Sequence, residues 1–328
     1  MMTSILPVRL LDLHPQLGDL SAEVLDGLRK PQKELPPKLF YDARGSKLFD
    51  EITELDEYYP TRTETAIMRG HIGAMAAYVG PDCLLIEYGS GSSTKTRTLL
   101  DHLAWPAAYV PIDISRDHLL AAANDLATAY PDLEVLPVCA DYTADFALPV
   151  PSRPAARRVA YFPGSTIGNF HPPEAHDFLA RIAKTVGPGG GLLIGVDLHK
   201  GKDVLEPAYN DRRGVTAAFN LNVLVRLNRE LDADFDLAAF RHCAYYNERE
   251  RRIEMHLISG QAQQVRVAGE VITFAAGESI LTECSYKYGL ADFARLAESA
   301  GWQVEGVWTD RRELFSVQYL RVGEERLR

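Results

Sequence analysis

The chain has 328 residues, enough for one large domain or two medium ones. Hydrophobic residues make up 46% and charged residues 24%, the balance of a soluble globular protein with a sizeable core. A formal charge of −10 speaks against a nucleic-acid partner, because affinity for phosphate backbones rests on Lys and Arg.

The four cysteines, Cys83, Cys139, Cys243 and Cys284, form no C-x-x-C pair, so neither a zinc site nor a disulfide framework is expected. The N-terminus "MMTSILPVRLLDLHP" carries an Arg behind its apolar residues and no A-x-A-like cleavage site. No run approaches the ~18 apolar residues of a membrane helix. A cytoplasmic monomer without metal, membrane or nucleic-acid partner is the expectation.

In chain order, residues 16–30 read as a helix. A dense segment rich in Tyr and Pro follows, "PQKELPPKLFYDARGSKLFDEITELDEYYP". From about residue 62 the texture changes. The amphipathic "TETAIMRGHIGAMAAYV" leads into alternating strands and helices: "CLLIEY", "TKTRTLLDHL", "AAYVPIDI", "RDHLLAAANDLATAY", "EVLPVCAD", "RRVAYFPG", "PPEAHDFLARIAKTV" and "GLLIGVDL". The strands are short, continuous and apolar, as expected where helices cover both faces of a sheet. Such a βαβ series predicts a parallel, doubly wound α/β sheet.

The alternation stops at Leu198. Residues 199–286 read as the helix "AAFNLNVLVRLNREL" and then hairpin-like strands "RRIEMHLIS", "QVRVAG" and "EVITFAAG". It resumes with "ADFARLAESAG", "WQVEGVWT" and "LFSVQYLRV". The expected organisation is a Rossmann-like domain over 62–198 plus 287–328. A second, α+β domain would combine 1–61 with the insertion 199–286 after the fifth strand.

The loop "EYGSGSSTKT" after the first strand of the series half-matches three nucleotide fingerprints. A P-loop would need Gly before its Lys, where Thr94 stands. The dinucleotide motif G-x-G-x-x-G has Gly89 and Gly91 but meets Thr94 at its third glycine. The acidic-x-G-x-G loop of S-adenosylmethionine methyltransferases is met by Glu87, Gly89 and Gly91. The next strand ends in Asp113, placed to bind ribose hydroxyls. The third is followed by Asp141 and Tyr142, where adenine would lie. The fourth ends in "FPGSTIGNF", where methyl transfer would occur. A sheet whose acidic residues merely cap helices would give the same pattern.

More of the chain is distinctive. "LPPKLFYDARGSKLFDEITELDEYYPTRTE", "GSTIGNF", "YNDRRGVTAAFNLNVLVRLNREL", "RRIEMHL" and "ESILTECSYK" together resemble the L-histidine Nα-methyltransferases of ergothioneine biosynthesis. The resemblance spans nearly the whole chain. It implies a class I methyltransferase that makes hercynine by three transfers from S-adenosylmethionine to L-histidine. It also implies residue roles. Tyr58 and Tyr209 bind the substrate carboxylate. Asn169 and Tyr41 meet the amine and are the catalytic pair. Glu283 and Ser285 hold the imidazole, and Met255 lines the ring pocket. Gly89, Lys95, Asp113, Asp141 and Tyr142 bind the cofactor. Two departures are visible: Tyr88 where Leu is expected, and Tyr142 where Phe is frequent. Both keep a bulky apolar body.

The chemistry suits these residue types. Methyl transfer needs an amine lone pair aligned with a sulfonium carbon, which is mainly a matter of orientation and desolvation. The neutral groups of Tyr41 and Asn169 avoid raising the amine pKa, as a carboxylate would. Glu283 and Ser285 are two apart, so an extended strand puts both on one wall. Elsewhere, "HPPEAHD" reads as a helix start and "NERERR" as a solvated hairpin turn. Two other readings compete: a methyltransferase for another amino acid or amine, and a silent adenosylmethionine-binding module.

Overall fold

The computed structural model describes residues 8–13, 20–91 and 94–323. Strand β1 (Leu11–Asp12) is followed by helix α1 (Leu20–Arg29), strand β2 (Lys33–Glu34) and helices α2 (Ala43–Thr53) and α3 (Tyr59–Val79). Strands and helices then alternate: β3 (Cys83–Tyr88), α4 (Thr94–Leu100), β4 (Ala108–Asp113), α5 (Arg116–Ala129), β5 (Val138–Cys139), β6 (Arg157–Phe162), α6 (Pro172–Val186) and β7 (Gly191–Asp197). Helices α7 (Lys202–Leu205) and α8 (Val215–Glu230) precede strands β8 (Phe240–Asn247), β9 (Arg252–Ser259), β10 (Gln263–Val267), β11 (Glu270–Phe274) and β12 (Ser279–Tyr286). Helix α9 (Leu290–Ser299) and strands β13 (Trp302–Thr309) and β14 (Phe315–Val322) follow.

The chain divides into two compact units: residues 1–15, 60–199 and 288–328, and residues 16–59 and 200–287. The first holds an eight-stranded sheet in the order β1-β5-β4-β3-β6-β7-β14-β13. Every residue of β3 and of β7 is buried, which is why both read as unbroken apolar runs. Strand β3 pairs in parallel with β4 on one side and β6 on the other. The strand order therefore reverses at β3, the position where open α/β sheets bind ligands beyond their carboxyl ends. Along one core, Met68 and Met75 of α3 join Tyr109, Tyr161 and Tyr319 of the sheet.

Three expectations need correction. The sheet is mixed: β14 runs antiparallel to both β7 and β13. Asp310 closes that hairpin by accepting the backbone N–H groups of Arg312, Leu314 and Phe315. Residues 1–61 do not all go with the second unit, because β1 pairs with β5 at the edge of the first unit's sheet. Finally, "EVLPVCAD" yields only a two-residue strand; Pro137 within it has no N–H for the ladder.

The second unit holds a four-stranded sheet in the order β2-β12-β9-β8 and the separate hairpin β10-β11. "NERERR" spans the β8–β9 turn at residues 248–251. Strands β12 and β9 are antiparallel, with a register shift between Leu281 and Glu283. Thr282 is the extra residue of this bulge. Its hydroxyl donates to the Asn220 Oδ1 of α8 at 2.7 Å and reaches the Met255 carbonyl at 3.0 Å. Bulges of this kind re-aim the next side chain, and here the next side chain is Glu283.

Candidate functional site

The first unit gathers its candidate residues at the carboxyl ends of β3, β4, β5 and β6. Gly89 and Gly91 both have positive φ, 71° and 45°, so glycine relieves the strain that a side chain would bring there. The Gly89 N–H donates to the Ile112 carbonyl at 2.8 Å, tying the loop to the end of β4. Asp113 ends β4. Its carboxylate accepts the Ser115 N–H at 2.9 Å and lies 3.5 Å from the Gly91 nitrogen. Burial raises its pKa, and the Ser115 and Gly91 N–H groups oppose that shift. Tyr142 lies close by, its ring 3.8 Å from where a Gly89 side chain would start. Asp141 accepts the Thr143 N–H at 2.9 Å and so shapes its own turn. Ser92 and Ser93 of the loop lie outside the described residues.

Glu87, the acidic residue of the loop motif, points into the first unit. Its carboxyl is buried and accepts the Thr96 hydroxyl at 2.7 Å and the Tyr109 hydroxyl at 2.5 Å. It clamps α4 and β4 to the loop from below. Burial pushes its pKa up to about 7.

Lys95 is held by a residue that sequence reading missed. Its ammonium lies 2.5 Å from the carboxylate of Glu64 on α3, which is 1% exposed. Glu64 also accepts the Gly164 N–H through both oxygens, at 3.0 and 2.9 Å. Gly195 must be glycine for this, because a Cβ there would lie 2.0 Å from Glu64 Oε1. Glu64 thus ties the start of α4 to the loop after β6. In that loop Ser165 is held at φ 58° while its hydroxyl accepts the Asp197 N–H at 2.8 Å. Non-glycine residues seldom adopt this conformation, and it is often found where function fixes the backbone. The loop ends in a 3-10 turn, Thr166–Asn169. The half-buried Asn169 side chain makes no hydrogen bond to the described residues.

The second unit gathers Tyr41, Tyr58, Tyr209, Met255, Glu283 and Ser285. The rings of Tyr41, Phe49 and Tyr58 meet edge to face: Tyr41–Phe49 at 5.9 Å, Phe49–Tyr58 at 6.4 Å. Tyr58 meets Tyr209 in the same way at 6.4 Å. Asp42, beside Tyr41, caps α2 through the Gly45 N–H at 2.7 Å and accepts Asn222 Nδ2 at 2.8 Å. The Tyr209 backbone is fixed from behind: His242 Nε2 donates to its carbonyl at 2.9 Å. His242 Nδ1 accepts from Asn220 Nδ2 at 2.9 Å. Burial holds this imidazole's pKa below the usual value, consistent with the neutral tautomer those two bonds require. The fully buried Asn220 therefore links the Thr282 bulge to Tyr209.

Glu283 pairs across the sheet with Met255, and Ser285 with Ile253. Ser285 Oγ lies 2.9 Å from the Tyr209 hydroxyl. The Lys287 ammonium, also unassigned by sequence reading, donates to both oxygens, at 2.8 and 3.1 Å. Glu283 is 9% exposed and makes no hydrogen bond to the described residues. Burial pushes its pKa up to about 7, against the pull of Lys287. The ligand-free folded state therefore holds this proton above pH 4.5, where the unfolded chain releases it. Stability should fall as pH rises through that window, with the full penalty above about 7. Glu283→Gln should gain Tm relative to wild type on going from pH 5 to pH 8. Calorimetric scans giving a pH-independent difference would contradict a carboxyl buried without a hydrogen bond to the described residues.

The chain matches the family described as histidine-specific, S-adenosylmethionine-dependent methyltransferases over residues 20–322. It is 45% identical over 296 residues to the histidine N-alpha-methyltransferase of Mycolicibacterium smegmatis, covering 89% of this chain and 91% of that one. Against the Mycobacterium tuberculosis protein of the same name the identity is 44%, with the same coverage. The Neurospora crassa ergothioneine biosynthesis protein 1 is 30% identical over 283 residues, 84% of this chain and 32% of the longer fungal protein.

Proposed function

The chain belongs to the histidine-specific, S-adenosylmethionine-dependent methyltransferases, and from that premise we propose that it trimethylates the α-amino group of L-histidine to hercynine, the first step of ergothioneine biosynthesis. The observation that supports histidine most directly is Glu283, a buried carboxyl that accepts no hydrogen bond from the described residues. A ligand that brings a ring N–H would satisfy it. Ser285 beside it can serve the second ring nitrogen, and Met255 gives the ring an apolar wall. Tyr58 and Tyr209 are assigned to the carboxylate, and Tyr41 and Asn169 to the amine.

The residues at the β3–β6 strand ends fit the cofactor. Gly89 lets the backbone approach closely, Asp113 offers a carboxylate to ribose hydroxyls, and the Tyr142 ring offers a face to adenine. Lys95 and Asp141 complete this set in our assignment. The bound cofactor supplies an electrophilic methyl on a sulfonium. In each round the nitrogen would first give up a proton to solvent, and its freed lone pair would then form the new N–C bond as the C–S bond breaks with its electrons on sulfur. Orienting the lone pair and excluding water are the tasks left to the protein.

No helix of the described residues is long and apolar enough to cross a membrane. We assign the enzyme to the cytoplasm, a reading supported by four unpaired cysteines.

Mass spectrometry of products from a panel of amino acids and amines tests the reaction. L-Histidine should gain three methyl groups. A different preferred acceptor would replace histidine, and no product from any acceptor would favour a silent binding module. Asp113→Ala should weaken S-adenosylmethionine and S-adenosylhomocysteine alike, by about 1.5–3 kcal/mol, because ribose contacts do not sense the methyl. Unchanged affinity for both by calorimetry would remove Asp113 from the ribose.

A further inference from the structure

Beside Tyr209 and Ser285 in the second unit lies a buried cation that none of the assigned roles uses. Lys287 directly follows β12, and its backbone N–H continues the pairing by donating to the Arg251 carbonyl at 2.8 Å. It therefore falls on the same face as Glu283 and Ser285, at successive two-residue steps. The residue is 3% exposed. Its ammonium lies 5.1 Å over the Tyr209 ring and donates to both the Tyr209 hydroxyl and Ser285 Oγ.

This geometry restricts the hydroxyl protons of Tyr209 and Ser285. An ammonium has donors only, so Lys287 occupies a lone pair on each of the two oxygens. Tyr209 and Ser285 have two hydroxyl protons between them, and one is spent on their mutual contact at 2.9 Å. At most one remains for a ligand. The wall thus offers one carboxylate acceptor at Glu283, at most one hydroxyl donor, and a fixed positive charge next to Tyr209. A zwitterionic amino acid with a ring N–H is complementary to that set. Its ring donates to Glu283, and its own carboxylate answers the ammonium through Tyr209.

We propose that Lys287 is a positioning and specificity residue of this wall, orienting the Tyr209 and Ser285 hydroxyls and supplying the charge by which a free α-carboxylate is chosen over a neutral head group. The proposal rests on the histidine reading above. The Lys287 ammonium and the two hydroxyls form one hydrogen-bonded group, so its charge acts on whatever those hydroxyls bind. The effect of Lys287 on Glu283 points the same way, since its field favours the ionised carboxyl that a ring N–H needs.

The test compares L-histidine with L-histidinamide, which keeps the ring and the amine but lacks the carboxylate charge. Binding of each is measured by calorimetry with S-adenosylhomocysteine present. The wild type should prefer L-histidine by roughly 10- to 100-fold, the range of a hydrogen bond to a charged group. In Lys287→Met that preference should fall to within a few-fold, while S-adenosylhomocysteine affinity stays the same. Lys287→Gln keeps donors for the two hydroxyls but not the charge, and should lose the same preference even if the Met variant fails to fold. A purely structural lysine would weaken both ligands equally, so a preserved ratio in a folded variant overturns the proposal. Wild-type protein that binds S-adenosylhomocysteine but neither ligand would instead remove the histidine reading on which it rests.

Discussion

Glu283→Ala is expected to lower kcat/KM for L-histidine by about 10- to 100-fold, the value of a hydrogen bond to a charged group. The same change should leave phenylalanine or tryptophan unaffected or improved. A site built to accept a ring N–H strands its own carboxylate when the ligand has none, and such sites can discriminate by about 10⁴–10⁵. Glu283 meets the conditions for that penalty. It is buried, it follows the Thr282 bulge that sets its direction, and it makes no hydrogen bond to the described residues. Removing the carboxylate takes a charge-assisted partner from histidine but relieves an apolar ring of a buried, unpaired group. A solvated strand glutamate would predict no change for either acceptor. The measurement is the ratio of kcat/KM for histidine to that for phenylalanine, in wild type and variant. A ratio unchanged within a few-fold would mean that Glu283 does not read the ring.

Much of the first unit could be read from the sequence because its strands are buried on both faces. "CLLIEY" and "GLLIGVDL" admit few alternatives once bounded by Gly-rich turns, and both became sheet strands. What could not be read depends on partners far away in the chain. Glu64 looks like one of the polar positions of an amphipathic helix; its role appears only when Lys95 and Gly164 fold against it. The glycine at position 195 was equally silent, since the space it leaves is filled by that carboxylate. Strand β1 is two residues without periodicity, and only pairing with β5 makes it a strand. The antiparallel β13–β14 hairpin looked like another pair of apolar runs, because periodicity carries no direction.

The second unit shows a similar division. The two-residue step from Glu283 to Ser285 was sufficient to place both on one wall, and the same step extended once more would have reached Lys287. What the step could not show was the bulge at Thr282. Nor could it show the Thr282–Asn220–His242 chain that reaches the Tyr209 backbone from a different helix and strand. Such networks join residues with no shared periodicity, so only the folded chain displays them.

Asn169→Ala should reduce kcat by about 10²-fold, the scale of a small misplacement of a reacting group, with little change in cofactor affinity. Three features put this residue in position. The loop after β6 is fixed at Gly164 by Glu64 and at Ser165 by the Asp197 N–H, which holds Ser165 in a left-handed conformation. The 3-10 turn Thr166–Asn169 then carries the amide, which makes no hydrogen bond to the described residues. A neutral amide oxygen can accept an amine N–H and so direct the lone pair without adding charge. An Asn169→Asp variant separates orientation from charge. Its carboxylate would retain an acceptor but favour the ammonium form, so its kcat should recover only at higher pH than the wild type requires. Steady-state kinetics across pH, with calorimetry of S-adenosylhomocysteine binding, distinguish the outcomes. A normal kcat in Asn169→Ala would remove the amide from the amine's alignment. A loss explained wholly by weaker cofactor binding would assign Asn169 to the cofactor loop instead.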